Sequence, residues 1–192
     1  MEVFVGVDTG LQSPGVAVVS REGVLLGAVP LTIGGKVRGA RRLVEIRRRL
    51  DAYVRQFGTP VGSAIEGPSL GSEHREYDLG EASGVLKLWL YEATGAEPWV
   101  IEPARLKKWA TGNGGASKEL VRQYVVRRTG FEIAEDDLDA SDAAALALLA
   151  YSLSSQGRPQ TRVQAEVQLA LRAPARKKSK SRPSVKNRTV NI

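Results

Sequence analysis

The chain has 192 residues, 42% of them hydrophobic, enough for one well-buried domain and too few for two domains of usual size. It has no cysteine, which excludes disulfides and thiolate metal sites and leaves any metal to oxygen ligands or to the single histidine, His74. The net charge of +7 points to a polyanionic partner, but residues 174–192 carry seven basic side chains and no acidic one, leaving residues 1–173 balanced at 21 against 21.

A nucleic-acid reading therefore needs basic patches on the body, because a basic tail alone serves RNA, lipid or solubility equally well. The opening MEVFVGVD has no basic region before an apolar segment, and the longest apolar run, residues 143–151, is too short to span a bilayer. The expectation is a cytoplasmic protein, in a host's cytoplasm if viral, with no membrane partner.

In chain order, residues 2–8 read as a valine-rich strand ending at Asp8. Turn chemistry at Thr9-Gly10 and Ser13-Pro14-Gly15 leads to a strand at 16–19, and Glu22-Gly23 to another at 24–31, an antiparallel meander. Between 37 and 57, Leu43, Ile46, Leu50, Tyr53, Val54 and Phe57 recur at helical spacing among arginines, predicting an amphipathic helix. A strand at 61–66 ends in Glu66, followed by Gly67-Pro68. A helix at 79–94, a strand at 98–101, a broken helical stretch at 103–130 and a helix at 138–153 complete the body. The pattern predicts an α/β fold in which a mixed sheet is flanked by helices. Residues 1–155 read as one domain, and 156–192 as a basic, disordered tail with a marginal helix near 163–171.

The carboxylates carry the chemistry. Asp8 and Glu66 stand at the carboxyl ends of strands, where α/β sheets place their ligands. Asp8 alone is equally readable as a turn residue beside glycine. Glu66 is a poor turn residue, and behind an apolar strand it needs a cation or hydrogen bonds. Asp139 and Asp142 follow the same three- and four-residue steps as Leu146, Leu149 and Leu153, so they share a stripe expected to be buried. Like charges one turn apart repel unless a cation lies near. Glu135, Asp136 and Asp137, by contrast, suit a solvated helix N-terminus. Oxygen ligands from three segments suit Mg²⁺, with Mn²⁺ as a substitute, better than zinc, and two ions would hydrolyse a phosphodiester in line without a protein nucleophile.

Four segments give the chain a family resemblance: VGVDTGL at 5–11, AIE at 64–66, PARLKKWATGNGGASK at 103–118 and DASDAAAL at 139–146. Over roughly residues 3–151 it resembles the RuvC family of Holliday-junction resolvases, within the ribonuclease-H-like nuclease superfamily. The resemblance implies a ribonuclease-H-like five-stranded mixed sheet whose first three strands are antiparallel. It also implies that Asp8, Glu66, Asp139 and Asp142 are catalytic metal ligands and that Lys107 and Lys118 are catalytic basic residues near the DNA backbone. Lys108, Asn113, Gly114 and Ser117 share that DNA-binding loop. Its glycines let a partner approach closely, and Ser117 can cap a helix whose free N–H groups favour a phosphate.

Two departures stand out. Thr9 replaces the family's usual proline, and after Glu66 the family's junction-wedging phenylalanine is absent, leaving Ser69 and Leu70 as the candidates. His74 falls in the same segment and reads as a solvated loop residue. The implied reaction is symmetric nicking of a four-way DNA junction by a magnesium-dependent homodimer in recombination and repair. The helix at 79–94, with Val85, Leu86, Trp89 and Leu90 beside Gly80 and Gly84, is readable either as the dimer interface or as a core helix. No segment identifies a partner helicase.

The rivals fare worse on the rest of the chain. A retropepsin-like protease also ends a strand in Asp-Thr-Gly, but it is nearly all β and leaves Glu66, Asp139 and Asp142 without a task. An actin-like kinase needs a second domain that this length cannot hold. A nuclease of flaps, forks or structured RNA stays open, as does a non-catalytic nucleic-acid-binding module, which would keep two buried-face aspartates without a compensating cation.

Overall fold

The computed structural model describes residues 1–67, 73–154 and 156–173, the side chains of 73–76 excepted. Strand β1 (Glu2–Asp8) is buried on both faces from Val3 onward, as suits a central strand of β-branched residues. β2 (Gly15–Ser20) and β3 (Leu25–Pro30) pair antiparallel on one side of it. β4 (Thr59–Glu66) and β5 (Trp99–Ile101) add parallel on the other, giving a five-stranded sheet in the order β3-β2-β1-β4-β5. This is the mixed α/β sheet expected from the sequence.

Alternation along the strands divides the interior into two cores. Val3, Val5, Val7, Val16 and Val18 meet α1 (Ala40–Val54) and α2 (Glu73–Thr94). On the opposite face, Phe4, Ala17 and Val19 belong to the core built by α3 (Pro103–Thr111), α4 (Lys118–Thr129), α5 (Leu138–Leu153) and α6 (Arg162–Arg172). α5 is apolar nearly all round, which marks a helix enclosed by other elements. Its Leu146, Leu148 and Leu149 are fully buried, each stabilising the fold by roughly 2 kcal/mol.

The contact between α5 and the sheet depends on two glycines. A Cβ on Gly6 would lie 2.1 Å from the Ala143 carbonyl oxygen, and one on Gly15 would lie 2.1 Å from that of Asp139. Backbone therefore packs on backbone, which the small residues Ala140, Ala143, Ala144 and Ala147 on α5 permit. This close approach holds the first turns of α5 beside the end of β1.

Four expectations change. The aspartates of α5 do not share a one-sided buried stripe, because the helix is buried on almost every side and Asp139, in its first turn, is only partly covered. α2 starts at Glu73 rather than 79, since its first turns, including the exposed Tyr77, carry no apolar periodicity. β4 takes in Thr59 and Pro60; Pro60 pairs only with β1, because β5 joins β4 from Ala64 onward, and no second ladder bond is lost. Finally, α6 packs on α3 with Val167, Gln164 and Gln168 buried, so the folded body extends past 155. Gln164 donates to the Tyr124 hydroxyl and Gln168 to Ser152 Oγ. The basic segment 174–192 lies outside the described residues.

Candidate metal and nucleic-acid site

Because β1 and β4 run parallel in register, with Val7 opposite Ile65, Asp8 and Glu66 emerge side by side at the same sheet end. Asp8 is only 3% exposed. Burial, a hydrogen bond with Glu66 and repulsion from it raise the Asp8 carboxyl well above the usual carboxylate range, and Lys118 partly opposes them. The close approach of α5 brings Asp142, also 3% exposed, against the same place. Burial pushes its pKa up to about 6 despite the attraction of Lys118, with repulsion from Asp8 adding to the shift. One oxygen of Asp142, Oδ1, is buried without a hydrogen-bond partner. Asp139 stays 46% exposed at the side chain and forms the outer lip.

α4 supplies the positive charge. The Ser117 hydroxyl caps the helix by accepting from the Leu120 N–H, which fixes Lys118 at its first position. The Lys118 ammonium lies 2.9 Å from Asp139 Oδ1, 3.1 Å from Asp142 Oδ2 and 3.5 Å from Asp8 Oδ2. Burial opposes that charge, but the three aspartates outweigh it and hold the lysine protonated.

Among the described residues, no three acidic or histidine side chains already surround one point at metal-ligating distance; three of the carboxylates face the Lys118 ammonium instead. The donor set nevertheless fits a hard divalent cation. All its ligands are oxygens, one ammonium cannot balance four carboxylates, and the partnerless Asp142 oxygen is costly unless a cation meets it.

The loop between α3 and α4 is built by its own polar groups. Gly112 ends α3 in the left-handed region at φ 84°. The Asn113 side-chain oxygen accepts the Gly115 N–H, which fixes the side chain and leaves its amide N–H groups free to donate to a partner. Gly114 passes within close reach of the Ala104 carbonyl. Lys107 lies near the start of α4: the Ser117 hydroxyl first, with Arg122 and Lys107 adding, holds the Glu119 carboxyl below its ordinary range. Lys108 is exposed on α3 and makes no ion pair with the described residues.

Thus Asp8, Glu66, Asp139, Asp142 and Lys118 come together, with Ser117 capping the helix that Lys118 opens and Lys107 near Glu119 in that helix's first turn. Ser69 and Leu70 lie outside the described residues, as does the His74 side chain. On α2, Leu86, Trp89 and Leu90 are buried core, so these candidate interface residues do not face outward; Leu88 and Tyr91 do. Sequence reasoning missed Gly6 and Gly15, although a glycine inside a valine strand is itself a signal of close backbone approach.

The model of the family described as crossover junction endodeoxyribonuclease RuvC matches residues 4–150. A relative of that name from Rhodopirellula baltica is 29% identical over 159 residues, covering 79% of this chain and 87% of the relative. Another, from Bdellovibrio bacteriovorus, is 32% identical over 154 residues, covering 76% and 87%. In shape the chain is similar to the solved Thermus thermophilus RuvC structure, with a TM-score of 0.65 and 27% identity over 76% of this chain and 91% of that one. T. thermophilus RuvC in complex with Holliday junction substrate matches with a TM-score of 0.65 and 26% identity, covering 76% and 90%.

Proposed function

The chain belongs to the RuvC family of crossover junction endodeoxyribonucleases, and on that premise we propose that it nicks four-way DNA junctions symmetrically by metal-dependent hydrolysis, with Asp8, Glu66, Asp139 and Asp142 as the metal ligands. The observation that carries this reading is the gathering of Asp8, Asp139 and Asp142 around the Lys118 ammonium, with Glu66 beside Asp8 and one buried oxygen of Asp142 left without a partner. The ligands would hold two Mg²⁺ ions, with Mn²⁺ as a substitute. When bound, such ions activate the attacking water and stabilise the departing oxygen.

The remaining tasks fall to the chain itself. Asp8 and Asp142 sit on a strand and a helix locked backbone to backbone, so their oxygens are held in place before DNA arrives. Lys118 keeps its proton among the aspartates and turns toward a phosphate oxygen as the site fills. Ser117 and the α4 N-terminus offer donors to the same backbone. Lys107, Lys108, Asn113 and Gly114 line the approach from the α3–α4 loop, and junction opening falls to the segment that holds Ser69 and Leu70.

A four-way junction has two equivalent strands to cut, so the working unit is a homodimer, joined through the outward face of α2 that carries Leu88 and Tyr91. The place of action is the cytoplasm, at the nucleoid; no helix among the described residues is long and apolar enough to cross a membrane.

The test is a gel of four-way junction, flap and linear duplex with and without Mg²⁺. Paired symmetric nicks in the junction alone, and only with Mg²⁺, are expected. Equal cutting of duplex overturns junction selectivity, and preference for the flap moves the substrate to branched ends.

A further inference from the structure

Beside the carboxylates, a cleft of about 530 Å³ opens from Asp139 toward Arg38 and Arg42, with the β1–β2 loop as its other wall and no residue of the α3–α4 loop in its lining. Arg38 comes from the linker between β3 and α1 and Arg42 from the first turn of α1, and that linker is fixed. The Leu31 N–H donates to the Pro14 carbonyl and the Ile33 N–H to the Gln12 carbonyl, so the linker is tied to the β1–β2 loop. Leu31 and Ile33 are buried, which anchors it from beneath. Arg42 Nε donates to the Val37 carbonyl and holds the far end. Gly34 and Gly35 leave open space in which a chain can lie close.

Arg38 and Arg42 match Asp78 and Asp139 in number around the cleft, but the pairing is uneven. Its two acids are engaged: Asp139 with Lys118, and Asp78 with Arg42 at 3.7 Å. Arg38 is exposed and makes no ion pair with any described residue, and neither do its neighbours Lys36 and Arg41. A fixed, open trench with an unpaired arginine on its wall, leading off the carboxylate centre, suits a polyanionic chain better than a free small anion, which needs enclosure.

We propose that this cleft is a second backbone-phosphate subsite, in which Arg38 contacts the DNA strand on the side of the scissile bond opposite the lysine–glycine loop and Arg42 positions the linker. The proposal rests on the nuclease reading above. It means that the strand is gripped from both sides of Asp139, so that its phosphate is held in line over the carboxylates.

The experiment uses the full chain and a synthetic four-way junction, with EDTA for binding and Mg²⁺ for cleavage. Arg38→Ala should weaken binding about three- to tenfold and reduce the slope of log affinity against log salt by about one, and Arg38→Lys should restore most of the slope. Single neutral methylphosphonates placed along the cut strand should identify one phosphate whose neutralisation weakens the wild type but adds nothing to Arg38→Ala. Unchanged affinity and slope in Arg38→Ala, or a full penalty at every methylphosphonate in that variant, overturns the subsite. A wild type that binds the junction without nicking it overturns the nuclease reading, whereas the Arg38 comparison, made in EDTA, still decides whether the cleft holds phosphate.

Discussion

At the floor of the site, Asp8 and Asp142 are 3% exposed, on a strand and a helix that touch backbone to backbone; at its rim, Lys108 and Arg38 are exposed on a helix and a linker, with Lys107 half-buried beside Lys108. The floor concentrates like charge where water cannot screen it, which is unfavourable for folding and useful for holding cations. The rim places opposite charge where it is solvated and individually weak. Lys118 joins the two, anchored at a helix start and reaching among the aspartates. Changes to the floor should therefore alter folding and turnover, and changes to the rim should alter affinity and its salt dependence.

The largest expected effect is at the helix–sheet contact. Gly6→Ala puts a methyl group 2.1 Å from the Ala143 carbonyl oxygen, so urea denaturation should show a loss of more than about 3 kcal/mol. A loss below about 1 kcal/mol would mean that α5 can move off the sheet without consequence.

Next comes the joining residue. Lys118→Ala should reduce single-turnover cleavage about a hundredfold while junction affinity changes only a fewfold. An equal loss in both would place Lys118 with the rim. A smaller effect is thermal: saturating Mg²⁺ should raise the Tm by about 5 °C, because the ions bind only the folded arrangement of carboxylates. Arg38→Ala should keep that rise.

The smallest concerns an ion-pair cluster remote from the site. The Glu45 carboxyl accepts hydrogen bonds from Arg48 and Arg49, which hold its pKa down to about 2. A lowered pKa stabilises the fold above the ordinary carboxylate pKa and loses that stabilisation as pH falls through the lowered one. Glu45→Gln should therefore cost no more than about 2 °C of Tm at pH 7, and the difference should close between pH 4.5 and about 2.

Much of the floor was legible in sequence because strand ends are. Asp8 and Glu66 each close an apolar strand at a turn, Thr9-Gly10 and Gly67-Pro68, and parallel pairing then sets them side by side. The pair on α5 was legible as a pair but not in its environment. Asp142 faces the end of β1, while Asp139 lies one turn earlier at the edge of the cover, and helical periodicity cannot report where a neighbouring sheet stops. The start of α2 was hidden for a related reason, since exposed turns such as that of Tyr77 bury nothing and show no period. α6 read as marginal because its hold on α3 uses Gln164 and Gln168, polar residues that count against burial until their partners Tyr124 and Ser152 are seen. The arginine cleft was invisible because Arg38 and Arg42 resemble the solvated arginines that follow; only the pinned linker distinguishes them.

Asp142→Asn tests the central claim most directly, because it removes the floor's charge while keeping its shape. In one preparation, junction cleavage with Mg²⁺, junction binding in EDTA and Tm with and without Mg²⁺ should be measured together. Cleavage should fall at least about a thousandfold and binding stay within about threefold. The metal-free Tm should hold or rise as repulsion is relieved, and the Mg²⁺-induced rise should disappear. Cleavage within tenfold of wild type, or binding and Tm lost together, would contradict the account.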